Sequence, residues 1–504
     1  MLISALLSSI VLMPSSPAGA QETGPPGDGV VITESGRVLP VREKQPDSYL
    51  VTTTCWNEAT VRGGTHLSRV EVVIDPGHGG SEIGAVGRNG LSEKDLNLAV
   101  SKLLAEELRS RGFGAVLTRT DDIRLPIVVR AEIARALKPD VFISIHHNGG
   151  AVSRSSLPGT EIFHQIQNAD SRRLAGILFE EIQGALAVYD IDWRRTALQG
   201  ASSVWDYQTD ADLYGILRRT PGIATVITEA AYLSNPAEAR LLADPAVQKV
   251  EAVAIADGIE RYLTTTDPGS GFNPMFSFTR PATTGGVRGC PDFEYEDIGQ
   301  DEPGFDDYQS GDYLDGVNEL AAYGILAGTE CGPDLICPDQ PIRRWMMAVW
   351  LVRAIDGRDP DPILKSRFAD SPTDRWWAPF VERLAELGIT RGCAVDPARF
   401  CPYEMVNRAQ AASLISRAFP LSENHEIVFA DVSKSSHAEA INKVVAAGIT
   451  GICSAPPARF CPEEHLTKAE TAMYLARALR IFPPPVHPSP QNPVPPLHNG
   501  LDSG

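Results

Sequence analysis

The first sustained pattern along the chain begins at residue 70. Val70, Val72, Val73 and Ile74 form a short apolar run that stops at Asp75-Pro76-Gly77, which reads as a buried strand entering a turn. Residues 91–109 then place Leu96, Val100, Leu103, Leu104 and Leu108 at helical spacing, with Ser92 and Asp95 as a capping pair at the start. The same reading predicts strands at 114–117, 141–145, 161–165 and 223–228, and helices at 127–137, 171–186 and 247–263. Strands alternating with helices predict an α/β domain over residues 70–265, built on a mainly parallel sheet flanked by helices.

On either side the pattern changes. Residues 21–69 are polar and turn-rich, an N-terminal extension that reads as either a small strand-forming element or a disordered spacer, with the spacer expected. Residues 266–304 are rich in Gly, Pro, Ser and Thr and read as a linker. Three internal repeats follow, at 305–367, 368–428 and 429–482, opening at Phe305-Asp306-Asp307, Phe368-Ala369-Asp370 and Phe429-Ala430-Asp431. Each continues through an amphipathic helix, a Gly-Ile turn (Gly324, Gly388, Gly448), a cysteine loop ending in Cys-Pro and a second helix, so an all-α repeat module is expected. The tail, 483–504, is proline-rich and expected to be extended.

A length of 504 residues agrees with several domains, and 43% hydrophobic with 22% charged residues is the composition of a folded chain. The net charge of −19 and the lack of any Lys/Arg-rich run exclude a general nucleic-acid binder. No later apolar run reaches the ~18 residues of a membrane span. Residues 1–20 read as an export signal, apolar from Leu2 to Met13 and ending in the small-x-small pattern Ala18-Gly19-Ala20, although a basic start is missing. Cysteine usage agrees with export: Cys331/Cys337, Cys393/Cys401 and Cys453/Cys461 are close pairs whose spacing is wider than that of zinc knuckles, so disulfides are expected. Whether Cys55 pairs with Cys290 is left open by the sequence.

Candidate chemistry gathers in the α/β domain. A catalytic zinc needs three protein ligands, an open position and a nearby base. His78 follows the first strand, Glu93 starts the next helix, His146 follows 141–145 and Glu229 follows 223–228. Strands running in parallel bring their carboxyl ends to one edge, so topology alone gathers His78, His146 and Glu229, and Glu93, on the first turn of the helix after the first loop, faces the same edge. A lone histidine after a strand is more often an ordinary loop residue. Asp75 and Asn148 are candidates to orient ligands, or simply to cap their turns.

The segments Val73-Ile74-Asp75-Pro76-Gly77-His78-Gly79-Gly80, Glu93, Phe142-Ile143-Ser144-Ile145-His146-His147-Asn148 and Glu229-Ala230-Ala231-Tyr232-Leu233-Ser234-Asn235-Pro236 resemble, in that order, the zinc-dependent N-acetylmuramoyl-L-alanine amidases. The resemblance implies Zn2+ held by His78, Glu93 and His146, with Glu229 as the catalytic carboxylate. It implies a peptidoglycan substrate opened at the amide between N-acetylmuramic acid and L-alanine. His147 is a rival to His146, and the family pattern favours His146. Trp193 and Trp205 fall in a long segment, 187–212, as either substrate-shaping groups or surface anchors.

The repeats resemble S-layer homology modules, with Ile342-Arg343-Arg344, Val406-Asn407-Arg408 and Leu466-Thr467-Lys468 as altered forms of that family's helix-entry motif. This likeness implies a secreted, cell-wall-associated protein held to a secondary wall polymer through the repeats. Arg344, Arg408 and Lys468 are the candidate contacts to an acidic sugar. Two alternatives stand beside the leading reading: a wall-binding protein without activity, and a zinc peptidase acting on the stem peptide.

Overall fold

The computed structural model describes residues 29–150, 153–278, 305–311, 313–332, 335–421, 429–432, 435–454 and 457–481. The expected export signal, Cys290, the tail and the linker from 279 onward lie outside the described residues.

Six strands form the central sheet, in the order Gly200–Ser202, Glu161–His164, Ala224–Tyr232, Val141–Asn148, Val72–Pro76, Ala115–Leu117. The last four run parallel to one another, and Glu161–His164 joins Ala224–Tyr232 antiparallel, so the sheet is mixed. Side chains alternate across it as the strand period requires. Val72, Ile74, Ile143 and Ile145 face a core shared with the helices Glu93–Ser110, Ala169–Leu186 and Pro245–Thr264. Val73, Phe142 and Phe163 face a second core with the helix Ile127–Leu137.

The expected spacer is instead an antiparallel sheet. Its strands Val30–Ile32, Val38–Gln45, Ser48–Thr52, Glu58–Val61 and Thr65–Leu67 bury Val31, Leu39, Val41, Val51 and Val61 between themselves. Val30, Ile32, Val38 and Leu67 join the core under Ile127–Leu137, so this sheet covers one face of the domain. Strands of three to eight residues separated by turns carry little local signal, and only their pairing at a distance shows them.

The boundary of the α/β domain also shifts. Phe276–Phe278 pairs parallel with Val204–Asp206, and Phe272 packs against Arg172 and closely approaches Gly176 of Ala169–Leu186, so the domain runs to residue 278 rather than 265.

The described C-terminal residues form a helical module around a single core. Three backbone bonds close it into a ring: Ile342 N–H donates to the Leu466 carbonyl (2.9 Å), Leu466 to Val406 (3.0 Å) and Val406 to Ile342 (3.0 Å). Each repeat carries its disulfide, Cys331–Cys337, Cys393–Cys401 and Cys453–Cys461. Each loop donates two backbone N–H groups to the opening aspartate, Asp307, Asp370 or Asp431.

The three cations expected to meet an acidic sugar are turned inward. Arg344 Nε donates to the Phe400 carbonyl (2.8 Å), Arg408 to the Phe460 and Gly451 carbonyls (2.8 and 2.9 Å), and Lys468 to the Thr329 carbonyl (2.9 Å). At 8%, 7% and 1% exposure they join one repeat to the next, and are not available to a polymer. Satisfying buried carbonyls of the neighbouring unit is the physical reason for a cation at each helix start.

This module docks on the α/β domain. Cys331 adds its carbonyl to the edge strand at Ala115 N–H (3.1 Å), Arg343 stacks over Phe113 with its guanidinium 3.7 Å from the ring centre, and Arg375 pairs with buried Asp140 (2.6 Å). Burial pushes the Glu71 carboxyl up to about 7, against the opposing charges of Arg343 and Lys468, and brings Lys468 down to about 8.

Candidate metal centre and active site

The site forms where Val72–Pro76, Val141–Asn148 and Ala224–Tyr232 deliver their carboxyl ends to one edge. Both longer strands run on through His146 and Glu229, which therefore stand on rigid ladder positions rather than in following loops. Glu229 is the register partner of His146 on one side and of Glu161 on the other. Glu93 is the first residue of its helix. Ser92 and Asp95 do meet, though side chain to side chain rather than as a cap on the backbone.

His78, Glu93 and His146 place one donor atom each within 4.8 Å of one another. His78 Nε2 and His146 Nδ1 both lie 3.0 Å from Glu93 Oε1, and the two rings meet edge to face with centroids 4.9 Å apart. Two imidazoles and one carboxylate converging in this way are compatible with a bound metal ion. Burial alone would raise the Glu93 carboxyl; hydrogen bonds from His146 and His78 outweigh it and hold the group well below the ordinary range. Burial lowers His146, which favours the neutral imidazole that a metal needs.

Close backbone approach makes this convergence possible. A side-chain carbon on Gly77 would lie 2.2–2.6 Å from three atoms of the His146 ring. One on Gly84, which has φ +73°, would lie 2.4 Å from Glu93 Oε2, on a turn whose Ala85 N–H donates to that same oxygen at 2.7 Å.

Around the donors, Asp75 accepts from Thr118 (2.6 Å), Ser144 (2.7 Å) and Arg130 (2.6 Å), and Arg130 also donates to the His78 carbonyl (2.6 Å). Asp75 thus orients the His78 turn through Arg130. Although burial works to raise its carboxyl, the Arg130 charge and the hydrogen bonds from Thr118 and Ser144 hold it lowered. Arg119 was not singled out from the sequence; it donates to the Pro76, Gly77 and Lys94 carbonyls and ties the His78 turn to the Glu93 helix.

His147 has partners of its own. Its ring is 1% exposed and directed away from the donors, with Nδ1 2.8 Å from Asn97 Oδ1 and Nε2 3.1 Å from Glu251 Oε2. Asn148 donates to Glu161 rather than to a proposed ligand. Of the two tryptophans in 187–212, Trp193 is buried in the core and Trp205 meets Tyr207 at a tilt, with ring centroids 4.7 Å apart, on a separate ribbon. Glu161 went unnoticed in the sequence, where the available signal was a carboxylate heading the buried strand Ile162-Phe163.

Residues 72–261 match the family described as N-acetylmuramoyl-L-alanine amidase. The N-acetylmuramoyl-L-alanine amidase AmiA of Salmonella typhimurium is 32% identical over 220 residues, which cover 38% of this chain and 75% of AmiA. AmiC of Neisseria meningitidis is 28% identical, over 40% of this chain and 55% of its own length. Among solved structures, AmiC2 of Nostoc punctiforme is 30% identical over 40% of this chain and 99% of that chain, with a TM-score of 0.34.

Proposed function

Since this chain belongs to the N-acetylmuramoyl-L-alanine amidase family, we propose that its α/β domain is a zinc-dependent hydrolase opening the amide between N-acetylmuramic acid and the L-alanine of the stem peptide. The observation that carries this reading is the meeting of His78, Glu93 and His146 beside a glutamate in register, Glu229. These three residues would hold the ion, which when bound supplies a Lewis acid and lowers the pKa of water toward about 7. Glu229 takes the proton from the attacking water and hands it to the leaving amine nitrogen. Asp75, through Arg130, and Arg119 keep the His78 turn from drifting as charge develops.

The repeat module is proposed to hold the exported enzyme at the wall by binding a secondary polymer on its exposed surfaces, since the buried cations are committed to the ring. No described helix is long and apolar enough to cross a membrane.

Digestion of purified peptidoglycan, followed by mass spectrometry of the new termini, tests the chemistry. Free lactyl groups on muramic acid and new L-alanine amino termini are expected. New termini within the stem peptide alone would replace the amidase reading with the peptidase one, and no new termini would favour an inactive binder.

A further inference from the structure

The ladder between Ala224–Tyr232 and Val141–Asn148 is regular up to the Glu229–His146 pair and then breaks. The next pair is Tyr232 with Asn148, so two residues on one strand, Ala230 and Ala231, stand opposite one on the other, His147. The break falls where the proposed base must be held to a fraction of an ångström from the ligand strand. Side chains of a third strand bridge it. Thr160 Oγ1 donates to the Ala230 carbonyl inside the bulge (2.9 Å). Glu161, 1% exposed, receives the Tyr232 hydroxyl on Oε1 (2.5 Å) and the Asn148 amide on Oε2 (3.0 Å). The Thr196 hydroxyl donates to Oε1 as well, fastening the 187–212 segment to the same carboxylate.

We propose that Glu161 is a positioning residue for catalysis, which fixes the Glu229 strand to the His146 strand across the bulge. This rests on the roles given to Glu229 and His146 above. Burying a carboxylate is costly, and three donors on one such group offset that cost only if the group is needed at that place. Each of its partners sits at a different wall of the site: Asn148 is two residues beyond His146, Tyr232 is three beyond Glu229, and Thr196 is on the neighbouring segment. A carboxylate suits this hub because it accepts from all three and competes with none.

The test is an exchange of donor and acceptor. Glu161→Ala should lower kcat on soluble muramoyl peptides by roughly 100-fold, the scale of a 1 Å misplacement, with KM changed by less than about threefold and zinc stoichiometry kept. Glu161→Gln keeps the acceptor for Tyr232 and Thr196 but sets an amide against the Asn148 amide, so kcat should fall about tenfold. Adding Asn148→Asp to Glu161→Gln reverses that pair and should restore most of the loss, which repacking alone would not do. If Glu161→Ala fails to fold, the Gln variant and the exchange pair decide. Wild-type kcat in Glu161→Gln, or no recovery in the exchange pair, overturns the proposal. An inactive wild-type enzyme would sink the amidase reading and this role with it, whereas an active one unaffected by Glu161 variants sinks only this role.

Discussion

Gly77→Ala isolates the geometry on which the metal centre depends. The added methyl would lie 2.2–2.6 Å from three atoms of the His146 ring, whereas ordinary contact begins at 3.4 Å, so the ring or the turn must retreat by at least about 1.2 Å. The turn is poorly placed to move, since Arg119 holds the Pro76 and Gly77 carbonyls at 3.0 and 2.9 Å and Asn97 holds the latter as well at 3.3 Å. The ring therefore moves, by several times the roughly 0.2 Å that metal–ligand distances tolerate. Zinc affinity should fall at least 100-fold, and turnover at saturating zinc by a comparable factor. Affinity is read by competition with a chromogenic chelator, and turnover by release of L-alanine amino termini. Gly184→Ala is the matched control: it is a position in the last turn of the helix Ala169–Leu186 where a side-chain carbon meets nothing within 4 Å. It should bind zinc as the wild type does and gain up to about 1 kcal/mol of stability. If Gly77→Ala binds zinc with wild-type affinity, the three donor atoms do not form the metal site.

Three further outcomes follow from the same structure. Glu229→Gln should retain zinc while turnover falls by roughly two to four orders of magnitude, and loss of zinc in that variant would make Glu229 a ligand. Arg408→Ala removes three hydrogen bonds, to the Phe460 and Gly451 carbonyls and the Tyr474 hydroxyl, costing on the order of 3 kcal/mol in calorimetry of the full chain; unchanged melting with weaker wall retention would return Arg408 to polymer binding. Glu71 binds its proton more tightly folded than unfolded, so its stabilising contribution is complete below about 4.5 and is lost as pH rises through about 7. The stability of the wild type relative to Glu71→Gln should therefore decline between pH 5 and 8 in thermal melts, and parallel curves would refute the assignment.

Much of the molecule was legible in the order of its residues, because local patterns carry it. The continuous apolar run ending at Pro76 and the helical spacing of Leu96, Val100, Leu104 and Leu108 determine the strand and helix of the first unit. Parallel topology then implies that His78, His146 and Glu229 share an edge, with Glu93 at the adjoining helix start, because parallel strands can end in only one direction. The three disulfides were equally legible, since six or eight residues of separation leave each pair few alternatives. Tertiary structure decided what depends on distant partners. The strands of 30–67 are stable only as a sheet laid against Ile127–Leu137, so their sequence reads as spacer. The cations of the repeats look like binding groups until ring closure supplies the carbonyls that bury them. Glu161 is an unremarkable strand residue until Tyr232, Asn148 and Thr196, which are 71, 13 and 35 positions away, bring it three donors. A sequence determines what each segment prefers locally, but whether a charged side chain faces solvent, a ligand or a buried carbonyl is settled by which segments desolvate it, and only the folded chain brings those together.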